Sequence, residues 1–570
     1  MKHFPKKLIA ALVSILLVFA LAGCSTTEKV ESVPEIVIPQ MTLPVAPAPA
    51  PAPAPSADVV ISDEEGEPEG YPFGVEMITK SEDGADAFDL YIFHTNDVHA
   101  RVTEGEDGSI GYSKLSSIIK QARNVTDNVL VIDAGDVTHG TNFANFFNGS
   151  TIGDLLALVG YDVVVPGNHD FNYGYQNILD LAAKAEANSD LRVLSANITD
   201  EDGNLLLQPY QLYSFNGFKV CVFGLTTPDT KIKAHPKYTE GIEFMSDEVV
   251  NNAQKAVDLA HQYADYVIVV GHLGIVDDGI SGVTSTYVCE NIDGIDLFID
   301  GHSHSELTGD NYVNGTLVVS AGQYMNNIGL VDIRVENGKA VDETALLITA
   351  EDVADPASSE IAQHYGISEI SDDAQVLAYI DSVNAKLDEA LSRVIATVDE
   401  DLDGERSNVR TRKTNLSELV CKALTEESGA DFTIINGGGI RASIKKGDVT
   451  LGMVNDTLPF TNVLNVCEIT GAEVYEALEW GYSVLPEENG AFSQTDLTVV
   501  YNIENPAGER ILNVLLNGQP IDKEETYLVA TNDFMAAGGD GYTMFGKVVQ
   551  EGRVLNEIFA DYLSANYPVN

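Results

Sequence analysis

The chain has 570 residues, carries 87 acidic against 32 basic side chains for a formal net charge of −55, and is 44% hydrophobic. At about 150 residues per domain, this length predicts two to four folded units, and the apolar content excludes a globally disordered chain. The charge excludes a protein that grips a nucleic acid polymer, because such proteins carry clustered cations, but it permits small phosphorylated ligands held through metal ions.

Residues 1–23 predict an export signal. Three lysines precede the apolar run Leu8–Ala22, which is shorter than the ~20 residues of a membrane-spanning helix. The run ends in Leu21-Ala22-Gly23-Cys24, which resembles a bacterial lipobox. We expect lipidation of Cys24 to anchor the mature protein to a membrane outside the cytoplasm, in the periplasm or at the cell surface.

Residues 24–87 predict a spacer without a core. An Ala-Pro repeat ends at Pro55, and the acidic stretch Asp63–Glu67 follows it. Ala-Pro repeats stay extended and stiff, and clustered acidic residues resist collapse. We expect this segment to lift the folded part of the chain away from the membrane.

Residues 88–350 predict an α/β domain, because apolar runs typical of buried strands alternate with helical stretches. The predicted strands are Leu90–His94, Val129–Ile132, Asp162–Val165, Val193–Ala196, Lys219–Leu225, Tyr266–Val270 and Ile295–Ile299. The predicted helices include Ser113–Arg123 and Asp247–Tyr263. In such sheets ligands collect beyond the carboxyl ends of the strands, so functional residues are expected directly after these runs.

Residues 371–396 predict a helix that links two domains, with Ser371 as its N-cap and apolar residues at spacings of three and four. Residues 397–570 predict a second domain. It begins with a helix near Ser417–Ser428 that Gly429 closes, and it continues with strands such as Phe432–Ile435 and Thr498–Asn502.

Polar side chains follow the predicted strands of the first domain. The segments are His94-Thr95-Asn96-Asp97-Val98-His99, Asp133-Ala134-Gly135-Asp136, Gly167-Asn168-His169-Asp170, Gly271-His272-Leu273 and Gly301-His302-Ser303-His304. Carboxylates and amide oxygens together with imidazoles suit zinc, manganese and related divalent ions. Two ions ~3.5–4 Å apart need one bridging carboxylate, and this inventory predicts such a pair.

These motifs resemble the calcineurin-like metallophosphoesterase fold, and residues 88–570 together resemble the bacterial 5′-nucleotidase/UDP-sugar hydrolase family. The resemblance implies an α/β (α+β) chain with a four-layer α/β/β/α first domain and an α/β nucleotide-recognition second domain. It implies that one ion is held by Asp97, His99, Asp136 and His304. It implies that the other is held by Asp136, Asn168, His272 and His302, and that His169 stabilises the transferring phosphoryl group.

One position departs from the family pattern. Members commonly have an aspartate three residues after the catalytic histidine, and here that residue is Asn172. An amide can orient the His169 ring through a hydrogen bond, but it does not stabilise an imidazolium as a carboxylate does. Asparagine at this place also occurs in related 2′,3′-cyclic-nucleotide phosphodiesterases, so that activity is an alternative.

The second domain contains Asn436-Gly437-Gly438-Gly439-Ile440-Arg441 directly after a strand. Glycines let a backbone pass close to a ligand, and an arginine binds phosphate with a forked pair of donors. The resemblance implies that substrate is bound by Arg406, Arg410, Asn436, Gly438, Arg441, Phe460, Phe534 and Asp540. The two phenylalanines would clamp the base, Asp540 would accept hydrogen bonds from ribose, and the arginines would bind phosphate. Stacking tolerates any base, so broad specificity is expected.

We therefore expect a metal-dependent 5′-nucleotidase for AMP-like nucleotides, with UDP-sugars as a further substrate class. Besides the cyclic phosphodiesterase, a nucleotide-binding surface lipoprotein without catalysis is a second alternative. Because the predicted metal and base sites lie on different domains, a hinge is expected near Ser371–Ile395.

Overall fold

The structure is a computed structural model that describes residues 74–569, except for 106–107, 235–237, 247–248, 277–280, 366, 368 and 461. The predicted signal, Cys24 and most of the predicted spacer lie outside the described residues. Within the described part, no helix combines the length and the apolar run that crossing a bilayer requires.

The first domain is built around two β-sheets. Its strands are β1 (Met77–Ser81), β2 (Ala87–Thr95), β3 (Val129–Asp133), β4 (Val163–Val164), β5 (Arg192–Val193), β6 (Ile198–Asp200), β7 (Tyr210–Phe215), β8 (Phe218–Thr226), β9 (Ile242–Phe244), β10 (Tyr266–His272), β11 (Leu297–Asp300), β12 (Glu306–Leu307), β13 (Tyr312–Val313), β14 (Thr316–Ala321), β15 (Asn327–Glu336) and β16 (Lys339–Thr349). Its helices are α1 (Tyr112–Val125), α2 (Asn142–Asn145), α3 (Ser150–Val159), α4 (Tyr175–Asn188), α5 (Thr230–Lys233), α6 (Val249–Ala260), α7 (Ser285–Asn291), α8 (Ala350–Ala354) and α9 (Glu360–His364). Each predicted strand of this domain overlaps an observed one.

The predicted four-layer arrangement is confirmed by the way the sheets bury their two faces. One sheet has the order β1-β7-β8-β10-β11-β14-β12, with β13 beside β14, and the other has the order β16-β15-β2-β3-β4-β5. Alternate residues of a strand point to opposite faces. On β10, Ile268 belongs to the core between the sheets and Val267 to the core under α6 and α7. On β3, Ile132 faces the other sheet and Val131 faces α1 and α3.

The predicted spacer, residues 24–87, extends too far, because strand β1 begins at Met77. Met77 pairs in parallel with Leu212 of β7, and Lys80 of the same strand forms an ion pair of 2.6 Å with Asp162. The segment Met-Ile-Thr-Lys-Ser is too short and too polar to show a periodic apolar pattern. Its pairing partner lies far along the chain, so local sequence does not reveal it.

The linking helix α10 (Ala374–Leu391) is shorter than the predicted 371–396 at both ends. Asp373, rather than Ser371, caps it by accepting a hydrogen bond from the N–H of Gln375. The apolar side chains of Val376 and Ile380 pack in the same core as α1 and α3. The helix is therefore part of the first domain, and the chain crosses to the second domain after residue 391.

The second domain has a five-stranded sheet of order β21-β18-β25-β20-β26 and two smaller sheets, β17-β19 and β22-β23-β24. Its strands are β17 (Val394–Val398), β18 (Phe432–Asn436), β19 (Gly447–Thr450), β20 (Val463–Thr470), β21 (Ser493–Thr495), β22 (Thr498–Tyr501), β23 (Ile511–Leu516), β24 (Gln519–Pro520), β25 (Thr526–Asn532) and β26 (Lys547–Val554). Its helices are α11 (Arg406–Val409), α12 (Asn415–Ser428), α13 (Leu451–Thr457), α14 (Gly471–Tyr482), α15 (Asp533–Ala536) and α16 (Leu555–Asn566). The predicted end of α12 is confirmed, since Gly429 caps it with φ 68°.

Candidate functional site

The predicted metal ligands lie at the carboxyl ends of strands from both sheets of the first domain. Asp97 and His99 follow β2, Asp136 follows β3 and Asn168 follows β4 in one sheet. His272 ends β10, and His302 and His304 follow β11 in the other sheet. β10 illustrates why these strands form, since its β-branched residues are buried on both faces of the sheet.

The structure brings these side chains into two adjacent groups. The ligand atoms of Asp97, His99 and His304 lie within 4.8 Å of one another, and so do those of Asp136, His272 and His302. Asp136 belongs to the second group and also approaches the first, because its Oδ2 is 3.2 Å from Nε2 of His272 and 3.9 Å from Nε2 of His99. This placement is the one that a bridging carboxylate requires.

Asn168 and His272 test whether this cluster fits metal ions. The buried Oδ1 of Asn168 accepts no hydrogen bond from any described residue, which costs about 1–3 kcal/mol unless another partner is supplied. Nδ1 of His272 is 2.7 Å from the carbonyl oxygen of Ala134, so Nδ1–H donates and Nε2 faces Asp136. A divalent cation that replaces the proton on Nε2 would find the ring already oriented by this contact.

The charges of the cluster also favour bound metal ions. Burial alone would lower the pKa of His272, but the carboxylates of Asp136 and Asp97 raise it to about 10. Burial lowers the pKa of His99 to about 4, against the opposing effect of Asp136. The acidic groups therefore attract positive charge to this centre, and divalent ions satisfy that requirement.

The backbone at the cluster is strained. The residues with left-handed conformation here are Asp97 (φ 51°), His99 (φ 48°), Asp136 (φ 57°), His302 (φ 76°) and His304 (φ 51°). This conformation costs a non-glycine residue about 1–2 kcal/mol. Such strain persists only where surrounding contacts hold it, and it is typical of functional sites.

Asp170 supplies part of that support, a role that the sequence motif did not reveal. Its carboxylate accepts hydrogen bonds from the backbone N–H groups of Asp136, Val137, Thr138 and Gly167, at 2.8 to 3.1 Å, and from the Thr138 hydroxyl at 2.6 Å. It thereby ties the loop after β3 to the loop after β4. Its presence in Gly-Asn-His-Asp was the only signal available in the sequence.

Asp300 performs the same task on the other sheet. Its carboxylate accepts hydrogen bonds from the N–H groups of Leu273 and Gly274 and, at 2.8 Å, from the hydroxyl of Ser285. Burial raises the pKa of Asp300 to about 7. The loop that follows His272 is thus fixed to the end of β11.

The predicted catalytic residue His169 lies beside the metal-ligand cluster. Asp136 Oδ1 accepts a hydrogen bond of 2.8 Å from the backbone N–H of His169, and the His169 ring is 5.4 Å from that of His99. Nδ2 of Asn172 is 3.1 Å from Nδ1 of His169. Burial lowers the pKa of His169 to about 4, so the ring is neutral at pH 7.

In the second domain, the predicted substrate residues surround the turn after β18. Asn436 donates a hydrogen bond of 2.8 Å to Asp540, and its own Oδ1 accepts one of 3.0 Å from Asn532. A Cβ atom on Gly438 would lie 3.1 Å from the Cα atom of Gly490. A side chain at this position would press the two loops apart by a few tenths of an ångström, so glycine favours their close approach.

The three predicted arginines converge. Arg410 is only 9% exposed, and its pKa is lowered by burial and then by the nearby charges of Arg406 and Arg441. The Arg441 guanidinium lies 5.8 Å from the ring centroid of Phe460. Like charges held together in this way form a site for an anion.

The two predicted base-binding phenylalanines are unusually accessible for large apolar residues. Phe460 is 47% exposed and Phe534 is 44% exposed. Phe534 packs on Gly539, where a Cβ atom would lie 2.6 Å from its ring. A hollow beside Phe460 is lined by Ile435, Asn436, Gly439, Leu458, Asn462, Asn532 and Leu555. Exposed rings around a polar centre are a surface suited to ligand stacking.

Comparison with known proteins gives a separate family match for each of the two domains. The calcineurin-like phosphoesterase family model matches residues 90–306, and the 5′-nucleotidase C-terminal domain model matches residues 394–547. The first of these matches spans strands β2 to β12, which carry the two groups of candidate metal ligands. The family of this domain implies divalent metal ions.

Similar proteins extend over nearly the whole described chain. The trifunctional nucleotide phosphoesterase protein YfkN of Bacillus subtilis is 30% identical over 84% of this chain, which spans only 34% of that longer protein. A 5′-nucleotidase of Vibrio cholerae is 29% identical over 85% of this chain and 91% of its own length. The crystal structure of a 5′-nucleotidase precursor from Thermus thermophilus is 29% identical and covers 85% of this chain and 97% of its own, with a TM-score of 0.50.

These relatives and the metallophosphoesterase fold support the hydrolysis of nucleotide phosphoesters. The chain therefore belongs to the family that joins a calcineurin-like phosphoesterase domain to a 5′-nucleotidase C-terminal domain, and it is a hydrolase that acts on phosphoric esters.

Proposed function

We propose that the protein is a 5′-nucleotidase that releases phosphate from AMP-like nucleotides with a pair of divalent ions, such as zinc or manganese. The observation that carries this proposal is the position of Asp136 between two groups of metal-ligating side chains. The sulfur-free set of imidazoles, carboxylates and one amide is suited to these ions.

Each ion has its own ligands in this proposal. Asp97, His99 and His304 hold one, and Asn168, His272 and His302 hold the other, with Asp136 shared by both. When bound, such a pair lowers the pKa of a water molecule and neutralises the oxygens of the phosphoryl group. Asp170 and Asp300 keep the ligand loops in register while charge changes at the centre.

His169 acts as a hydrogen-bond donor to the phosphoryl group. An amide nitrogen only donates, so the Asn172 contact makes Nδ1 of His169 the acceptor and leaves the ring proton on Nε2. A donor that is fixed before the reaction stabilises charge as it develops in the transition state. Asn172 sets this tautomer, and that is the role we assign to it.

The second domain selects the substrate. Phe460 and Phe534 offer exposed ring faces for a base, and Arg406, Arg410 and Arg441 offer positive charge for phosphate. Asp540, held by Asn436, offers a carboxylate to the ribose hydroxyls. The second phosphate and the sugar of UDP-sugars would reach further from the same base site, and these compounds are a further candidate class.

Catalysis requires the two domains to present these groups to one substrate. Helix α10 packs in the core of the first domain, so we place the hinge where α10 ends, near Ser392 and Arg393. These residues lie inside the predicted hinge, Ser371–Ile395. Movement there would carry the base site relative to the metal centre.

The protein is proposed to work outside the cytoplasm, anchored through Cys24. Nucleotides cross membranes poorly because they are charged, whereas nucleosides lack that charge. An anchored enzyme at this place would therefore supply nucleoside and phosphate for uptake. Metabolic labelling with palmitate, compared between the native chain and Cys24→Ala, tests the anchor.

A substrate panel tests the activity. Protein purified by an N-terminal tag that replaces the export signal is loaded with Mn²⁺ or Zn²⁺, and phosphate release is measured from AMP, UDP-glucose and 2′,3′-cyclic AMP, the last with added phosphatase. Hydrolysis of AMP is the expected result. Turnover of the cyclic substrate alone would instead support the phosphodiesterase alternative, which Asn172 favours. Tight nucleotide binding without any turnover would support the non-catalytic alternative.

A further inference from the structure

His139 is a histidine beside the reaction centre to which the proposed mechanism gives no role. It follows Asp136 in the loop after β3 and is only 3% exposed. Its ring lies parallel to that of His169, at an interplanar angle of 9° and a centroid distance of 5.6 Å. Its ring also lies near that of Tyr173, at a centroid distance of 5.5 Å and an interplanar angle of 54°.

Hydrogen bonds and close packing fix both Tyr173 and the backbone beside His139. Asn145 Oδ1 accepts hydrogen bonds from the Tyr173 hydroxyl, at 2.7 Å, and from the backbone N–H of Gly140, at 3.1 Å. Gly140 has φ 144°, and a Cβ atom there would lie 2.4 Å from the carbonyl oxygen of His99. The backbone next to His139 is therefore pressed against a metal-ligand loop, where only glycine fits.

The His169 ring needs such support because the hydrogen bond that orients it is weak. Its side chain is held at Nδ1 by the Asn172 amide at 3.1 Å, a contact between neutral groups. Neutral hydrogen bonds are weaker than those made to a carboxylate. The Asn172 Oδ1 is buried and accepts no hydrogen bond from the described residues. The oxygen side of the Asn172 amide is therefore not fixed by a hydrogen bond from them.

We propose that His139 is a positioning residue for His169: its ring, which also contacts Tyr173, holds the His169 imidazole in the plane that directs Nε2 at the phosphoryl group. This inference rests on the proposed role of His169. The parallel ring of His139 would then supply part of the orientation that an aspartate at position 172 gives in other family members. The flat shape of the His139 ring, rather than its charge, would orient His169.

Four variants test this inference with p-nitrophenyl phosphate, which does not depend on the base site. They are His139→Ala, His139→Phe, His169→Ala and the double variant His139→Ala/His169→Ala. We expect His139→Ala to lower kcat by about 10- to 100-fold with KM and bound metal unchanged, as for other residues that orient a catalytic group. His139→Phe keeps a flat ring and should restore most of the rate.

The double variant decides the issue. If His139 acts through His169, its removal should cost less than about twofold once His169 is absent, because residues that act as a unit are not additive. A further loss equal to that of His139→Ala alone would overturn the inference, and so would a loss of bound metal in His139→Phe. Wild-type kcat in His169→Ala would instead refute the proposed role of His169, and the inference with it.

Discussion

The variant Phe534→Ala tests whether Phe534 binds the nucleotide base or only packs in the core. The ring is 44% exposed, so nearly half of its surface is already in contact with water. Full burial of a phenylalanine contributes about 1.5–3 kcal/mol, and truncation at this position should therefore cost only about 1 kcal/mol of folding free energy. The folded fraction should stay close to that of the native protein.

The effect on nucleotides should be larger. A base stacked on an aromatic ring contributes about 1–3 kcal/mol, which corresponds to a factor of about 5 to 150 in affinity. We expect KM for AMP to rise by this factor, with kcat/KM falling in parallel. The same variant should hydrolyse p-nitrophenyl phosphate at nearly the native rate, because that substrate has no base to stack.

The assay needs two controls. Phe534→Tyr keeps the ring and should keep the native KM for AMP. Tyr312→Ala removes an aromatic residue of similar exposure, 54%, on β13 of the first domain and should leave both substrates unaffected. Equal losses on AMP and p-nitrophenyl phosphate in Phe534→Ala would refute the base-binding role, since they would indicate a general disturbance of the enzyme.

Three further measurements probe the centre and the base site. Asp136→Asn removes the shared carboxylate and should lower kcat by at least about 100-fold while the circular dichroism spectrum is retained; native kcat would contradict its bridging role. Asn172→Asp places a carboxylate beside Nδ1 of His169, where the imidazole now has a pKa of about 4. The carboxylate should raise this pKa by about one to three units, which NMR of ¹⁵N-labelled histidine would measure. An unchanged pKa would contradict the contact. Trp480 is the only tryptophan and donates a hydrogen bond of 2.9 Å to the carbonyl oxygen of Asp540, so AMP should change its fluorescence in the native protein but not in Phe534→Ala at the same concentration.

The sequence predicted which side chains come together because strand ends carry that information; their role as metal ligands stays a prediction. Parallel strands share a carboxyl edge, so polar residues after β2, β3, β10 and β11 meet without any knowledge of the loops. Asp97, Asp136 and His272 were found in this way. The four-layer order followed from the resemblance, and the alternating burial of β3 and β10 confirms it.

Contacts between loops that lie far apart along the chain could not be predicted from the sequence. Asp170 and Asp300 lie within or beside the motifs, yet their roles depend on which backbone N–H groups surround them in the folded chain. The ring pair of His139 and His169 depends on the packing of two loops in the same manner. Strand β1 was missed because five residues without a periodic pattern gain their structure from pairing with β7.

The most direct test of the central claim is a crystal structure of the manganese-loaded protein with anomalous scattering measured at the manganese edge. We expect two peaks ~3.5–4 Å apart, both within bonding distance of Asp136, with one beside His99 and the other beside Asn168 and His302. A single peak, or two peaks that do not share Asp136, would contradict it.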